Sequence, residues 1–169
     1  LTVFIKDQFD DSIRVPEDVE SKLGLSLLGV VPRSHEGEPE EALSDPKSPI
    51  SEAYNSLRGA LLYSTTEGLP QVILVTSAQA SEGKTTSAFA IASGFARMGK
   101  KVVLFDADLR RPSLHRRVGQ DNERGLSTRL TTQDPLESVF ITSGQPNLTL
   151  ISSGPVPPRP PELISSARL

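Results

Sequence analysis

The chain has 169 residues, 36% of them hydrophobic, with no Cys and only two His, His35 and His115. This excludes a disulfide scaffold, a thiolate metal site and a cysteine nucleophile, and it argues against a zinc site built from His. Net charge is −3, but residues 1–70 hold 13 acidic and 6 basic side chains while residues 71–169 hold 8 and 12, so an acidic approach segment precedes a mildly basic body suited to a phosphate ligand.

No run of 18 apolar residues occurs, so no complete transmembrane helix is expected. The chain opens on Leu1 and its one methionine is Met98, which reads as a piece of a longer protein. Leu1 to Ile5 read as the last turn of an apolar element upstream. In VPEDVESKLG, Pro16 suits a helix start, Glu17, Asp18 and Glu20 suit its positive end, and Gly24 suits its stop. LSLLGVVPR, residues 25–33, is expected to be a short strand stopped by Pro32. Residues 34–49 are polar, acidic and proline-bearing, which reads as a linker or mobile loop. Ile50, Tyr54, Leu57 and Leu61 then fall at helical spacing over about 50–66, before Gly68 and Pro70.

QVILVTS, residues 71–77, reads as a strand of the parallel type, buried on both faces. A loop follows. Residues 84–98 carry Ala88, Ile91 and Phe95 along one side of a helix, and KVVLFDAD is a second buried strand. The order strand, loop, helix, strand is a βαβ unit. LTLISSG, residues 148–154, reads as another strand, and the closing GPVPPRPPELISSARL as a proline-rich loop running into a helix start.

The stretch ASEGKTT, residues 80–86, joins strand to helix. A phosphate loop needs small residues so that its N–H groups curl inward, a Lys for the β- and γ-phosphates, and a Ser or Thr hydroxyl for Mg²⁺. Gly83, Lys84 and Thr85 meet these needs at the positive end of a helix. ATP and Mg²⁺ are therefore the expected ligands, held by Ala78, Gln79, Ala80, Ser81, Glu82, Gly83, Lys84, Thr85 and Thr86, with Lys84 also catalytic. The pattern G-x-x-x-x-G-K-[ST] is met except at its first Gly, where Ala78 stands. Ser81 occupies a place where a flexible Gly is expected; at positive φ it costs roughly 1 kcal/mol.

LFDADLRRP, residues 104–112, ends the next strand, at the carboxyl edge where open α/β sheets bind ligands. Asp106 and Asp108, two apart, can point the same way and share a Mg²⁺ with its waters. Both are candidate catalytic and metal-holding residues beside Thr85.

VTSAQASEGKTT followed by VVLFDADLRRPSLH resembles the bacterial tyrosine kinases. Asp106, Asp108 and Arg110 match that family's D-x-D-x-R motif, which implies that Arg110 joins the nucleotide site. PEDVESKLGLSLLGVVPR resembles the segment after the second membrane helix of polysaccharide co-polymerases. SPISEAYNSLRGAL and PPRPPELISSARL resemble the segments flanking the kinase core. The likeness covers almost the whole chain from about residue 10. The family's E-x-x-R-x-x-R helix, linked to self-association, reads Glu52, Asn55, Arg58 here, without its middle arginine. The family's Walker B strand and its tyrosine-rich tail would both lie beyond Leu169.

Two rivals stand beside this reading. One is a partition or division P-loop ATPase, but Gln79 stands where that class has a signature Lys. The other is a non-catalytic nucleotide-binding or assembly module of a polysaccharide co-polymerase. Arg110, Arg111, Arg116, Arg117 and Arg124 form a basic stretch with His115, but Phe105 is the nearest aromatic, so no nucleic acid is expected.

The expected fold is α/β, a P-loop nucleotide-binding fold with a mostly parallel sheet. Residues 1–48 are expected to be a juxtamembrane arm and linker, and 49–169 an incomplete kinase domain. The resemblance implies an ATP-dependent tyrosine autokinase that regulates polysaccharide assembly and export from the cytoplasmic face of the bacterial inner membrane. It also implies self-association through the helix around Glu52 and Arg58, and anchoring by segments outside this chain. The segment alone is expected to be inactive.

Overall fold

The computed structural model describes residues 13, 15–33, 39–132 and 134–165. The reading of residues 1–5 lies outside them. The first helix among the described residues, α1 (Glu17–Leu23), begins after Pro16 and stops at Gly24, whose φ of 64° lets its N–H return to the Glu20 carbonyl. Its first turn carries Glu17, Asp18 and Glu20 against the positive helix end.

Residues 25–33 form no strand; Leu25 and Val30 are about three-fifths exposed. The segment lies over a helix instead. A Cβ on Gly29 would sit 3.5 Å from the Leu57 Cβ, and Val31 joins the cluster of Ile50, Tyr54 and Ala90. A chain docked on a helix has no ladder to join. Nor is the 34–49 stretch wholly a loop: α2 (Pro39–Ser44) forms within it. The Ser48 and Ser51 hydroxyls both donate to the Ala42 carbonyl and tie it to the next helix.

That helix, α3 (Pro49–Leu62), starts at Ser48, whose side chain accepts the Ser51 N–H. Ile50, Tyr54 and Leu61 are buried and Glu52 is exposed. Helix α4 (Lys84–Arg97) packs beside it, with Ala90, Ala92, Phe95 and Ala96 buried. The Tyr54 and Ser87 hydroxyls meet at 2.8 Å across the two helices.

Three strands follow in the order β1–β3–β2. β1 (Val102–Phe105) runs parallel to β3 (Leu148–Ile151), in the register Val102–Leu148 to Phe105–Ile151. The two-residue β2 (Ile141–Thr142) lies antiparallel on the other edge of β3. Between β1 and β2 come α5 (Leu114–Arg117), α6 (Leu126–Thr131) and a 3-10 turn over Leu136–Val139. α7 (Pro160–Ile164) closes the described chain. The fold is thus α/β, with one parallel strand pair and one antiparallel edge.

Alternation along the strands divides the core. Leu148 and Leu150 point toward Ala92, Ala96 and Leu114, joined by Val102 and Leu104. Ile151 faces the other way, into Leu109, Leu126, Leu130 and Val139. Leu150 and Ile151 are fully buried, each contributing about 1.5–3 kcal/mol.

The expected strand over 71–77 is not formed, so the βαβ unit lacks its first paired strand. Val72 is 87% exposed and Leu74 85%. A strand of the parallel type is buried only when neighbours flank it, and no described strand lies beside this one. β1 shares the effect: Val103 and Phe105, on the face away from α4, are 47% and 46% exposed.

Candidate functional site

The loop 78–83 leads into α4. Ser81 has φ 67° and Gly83 φ 84°, so the chain turns through the left-handed region twice within three residues. Gly does this freely and Ser does not. Ala78, Gln79, Ala80, Ser81 and Glu82 are all exposed. The Glu82 carboxylate accepts the Gln79 N–H at 3.0 Å. A loop amide thus already holds an anionic group. Lys84, Thr85 and Thr86 occupy the first turn of α4, at its positive end.

The second half of the site is the chain after β1. Asp106 extends the ladder through its N–H to the Ile151 carbonyl at 2.9 Å. Its side chain is buried, 7% exposed. Oδ2 accepts the N–H groups of Ser113 and Leu114 at 2.9 Å each, and Oδ1 accepts the Asp108 N–H at 3.1 Å. Three of the four acceptor positions of a carboxylate are therefore taken. Asp106 pins both ends of the 108–114 loop.

Asp108 faces the phosphate loop. Its Oδ2 lies 2.8 Å from Lys84 Nζ, with both side chains about two-thirds buried. Its Oδ1 accepts the N–H groups of Arg110 and Arg111 at 3.2 and 2.9 Å. The Lys84 ammonium, and then the Arg111 N–H, hold the Asp108 carboxyl below its ordinary value, while partial burial opposes them.

Thr85 and Thr86 both meet α5. The Thr85 and Ser113 hydroxyls lie 2.7 Å apart. Arg117 donates to Thr86 Oγ1 at 3.1 Å and stacks over the Phe89 ring at 4.9 Å. Sequence reasoning singled out Lys84, Thr85, Thr86, Asp106 and Asp108, and the structure gathers them. It did not find Ser113, because a contact across 28 residues leaves no local pattern. Arg110 lies at the rim with its side chain exposed. Arg116 donates to the Pro112 carbonyl and Arg124 pairs with Asp134 at 3.6 Å, so the basic stretch is scattered over several contacts.

Thr85, Asp106 and Asp108 offer only oxygen donors, the chemistry that suits a hard divalent cation. Among the described residues no group of three or more His, Cys, Asp or Glu gathers into a metal site. Mg²⁺ commonly binds one or two carboxylates together with phosphate oxygens and waters, so this donor set fits a cation carried in with a nucleotide.

Comparison with known proteins places the chain by family and by fold. Residues 68–156 match the ParA family, described as NUBPL iron-transfer P-loop NTPase. The chain is 38% identical over 125 residues to the tyrosine-protein kinase YwqD of Bacillus subtilis (strain 168), covering 74% of this chain and 53% of YwqD. It thus spans about half the length of that relative. Its fold is similar to the kinase domain of the Escherichia coli tyrosine kinase ETK (TM-score 0.81, 30% identity, 90% of this chain and 64% of that one). It is also similar to the BceF tyrosine kinase domain (TM-score 0.80, 31% identity, 92% of this chain and 68% of that one).

Proposed function

The chain belongs to the bacterial tyrosine-kinase family of P-loop NTPases, and on that premise we propose that it is the nucleotide-binding part of an ATP-dependent protein-tyrosine kinase. P-loop folds of this kind bind a nucleotide together with a divalent metal. Here the nucleotide is ATP and the metal Mg²⁺. Residues 78–86 wrap the phosphates, Lys84 neutralises the β- and γ-phosphates, and Thr85 holds the cation. Bound there, a divalent cation would supply neutralisation of the phosphate charge. Arg110, at the rim, is assigned to the phosphates or to a neighbouring carboxylate.

The two aspartates take different roles. Asp108 stands beside Lys84 and fixes its position between the two motif loops. Asp106 keeps one acceptor position, assigned to the cation shell or to the acceptor hydroxyl proton. Most of the catalysis in such a site is positioning and electrostatics.

The product is phosphotyrosine, on the protein itself or on a neighbouring copy, in the service of polysaccharide assembly and export. Residues 1–48 serve as the arm that connects the domain to membrane segments outside this chain, at the cytoplasmic face of the bacterial inner membrane. Among the described residues no helix is long and apolar enough to cross a membrane. Self-association runs through α3 around Glu52 and Arg58, of which Glu52 is exposed and Arg58 is half-buried against Gly94 of α4.

The observation that carries this reading is the Lys84–Asp108 contact, which brings a phosphate-loop lysine onto the carboxylate motif 24 residues away. The test is incubation of the full-length protein with radiolabelled ATP and Mg²⁺, followed by phosphoamino-acid detection. Labelled tyrosine supports the reading. Nucleotide binding without transfer to tyrosine favours the assembly-module alternative, and free phosphate release without protein labelling favours an ATPase.

A further inference from the structure

We infer that Ser113 is a positioning residue for the cation side of the nucleotide site: it takes the hydroxyl proton of Thr85 and leaves the Thr85 oxygen lone pairs free for the metal. This rests on the phosphate-loop reading above.

Ser113 stands at the N-cap of α5, yet its side chain makes no capping hydrogen bond. A serine there ordinarily accepts the N–H of the second or third helical residue. The strand-end carboxylate meets the helix start at other groups, since Asp106 Oδ2 accepts the N–H of Ser113 itself and of the first helical residue, Leu114. The Ser113 hydroxyl, which makes no capping bond to its own helix, sits 2.7 Å from Thr85 Oγ1.

A hydroxyl has one proton and two acceptor lone pairs. To ligate a cation, Thr85 must turn a lone pair to it and its proton away. Donation to Ser113 Oγ achieves both. The opposite direction would fill one Thr85 lone pair and leave its proton free to point at the cation. Arg117, one turn further along α5, makes the matching contact with the next threonine. Because Thr86 Oγ1 accepts from Arg117, the Thr86 proton remains to be donated elsewhere. One turn of α5 therefore sets the hydroxyls of both threonines.

The test is calorimetry of ADP binding in excess Mg²⁺ and in EDTA, for wild type, Ser113→Ala, Ser113→Cys and Ser113→Thr. The ratio of the two affinities is the cation's contribution. Ser113→Ala should cut that ratio about fivefold, the scale of one lost hydrogen bond, with EDTA affinity within about twofold of wild type. Ser113→Thr should restore the ratio. If Ser113→Ala does not fold, Ser113→Cys, a weak acceptor of similar size, must show the same cut. An unchanged ratio, or equal losses in Mg²⁺ and EDTA, overturns the role of Ser113 alone. A wild-type chain that binds no ADP in either medium overturns the site reading beneath it.

Discussion

Lys84 Nζ and Asp108 Oδ2 stand 2.8 Å apart, a contact that joins the two motif loops through side chains of opposite charge. The carboxylate lies beside the ammonium to which an anionic ligand would be drawn. Removing Lys84 therefore removes the phosphate partner and strands Asp108 among backbone N–H groups. Lys84→Met is expected to weaken ADP binding at least about 100-fold, as for a lost charged partner of a phosphate. Stability should fall by no more than about 1 kcal/mol, because the pair is partly solvated. Calorimetry and urea unfolding measure the two; equal affinity in the variant contradicts the assignment.

The same pair makes stability pH-dependent in a known direction. The Asp108 carboxyl is lowered from 3.8, so the folded state holds its proton less tightly than the unfolded chain does. Its contribution is complete above that unfolded value and is lost as pH falls through the lower folded value. The stability gap between wild type and Asp108→Asn should stay constant from about pH 7 to 5 and close below about pH 4. Parallel urea titrations of both proteins read this gap, and other carboxylates cancel in the difference. A gap that widens on acidification would falsify the pairing.

Asp106 should behave differently from its neighbour. Asn in its place puts an amide NH₂ where backbone N–H groups now donate. Asp106→Asn should cost about 1–3 kcal/mol, the scale for hydrogen bonds to a charged, buried group. Hydrogen exchange at the Ser113 and Leu114 amides should accelerate, and turnover of the full-length protein should fall at least about 100-fold. Native-state exchange by mass spectrometry separates this from Asp108→Asn, which should leave those two amides protected.

How far the sequence reveals this architecture depends on whether the information is local. The side of α3 that carries Ile50, Tyr54 and Leu61, and the stop at Gly24, follow from residue spacing and backbone freedom alone. Ser81 at φ 67° likewise sits where loop curvature demands the left-handed region. The runs 25–33 and 71–77 read as strands because branched apolar residues favour burial and extension. Whether an extended run pairs, however, depends on neighbours supplied elsewhere in the chain. Val31 found a helix, and Val72 and Leu74 found water. At the site, motif spacing located Lys84 and Asp108, but the pairing of Thr85 with Ser113 depends on how α5 is seated, which no short pattern encodes.

Gly125 is fixed by crowding, since its φ of 170° is ordinary extended backbone. A Cβ there would lie 2.2 Å from the Gly154 nitrogen and 2.3 Å from the Ser152 oxygen, and backbone atoms cannot swing aside. Gly125→Ala should cost about 3 kcal/mol by overpacking, with the loss concentrated where α6 joins the end of β3. Thermal melting of the variant tests this, and a melting point within about 1 °C of wild type contradicts it.

Asn55 holds Arg58 on its own helix: Arg58 Nη1 donates to Asn55 Oδ1 at 2.9 Å. The guanidinium also lies over Gly94 of α4, where a Cβ would come within 2.6 Å of it. Asn55→Arg removes that acceptor and adds an exposed cation beside Glu52. Self-association of the full-length protein should strengthen, seen as a shift to faster sedimentation. An unchanged profile places the contact elsewhere.

The uncharged run QVILVTS, outside any strand and largely bare to water, matters when the chain is held in concentrated solution. Its backbone donors and acceptors lie outside any ladder, and its side chains suit pairing with copies of themselves. Val103 and Phe105, half-exposed on the face of β1 away from α4, add to the same hazard. Loss of this segment to intermolecular β-pairing is therefore expected to rise with its concentration, which turbidity against concentration measures.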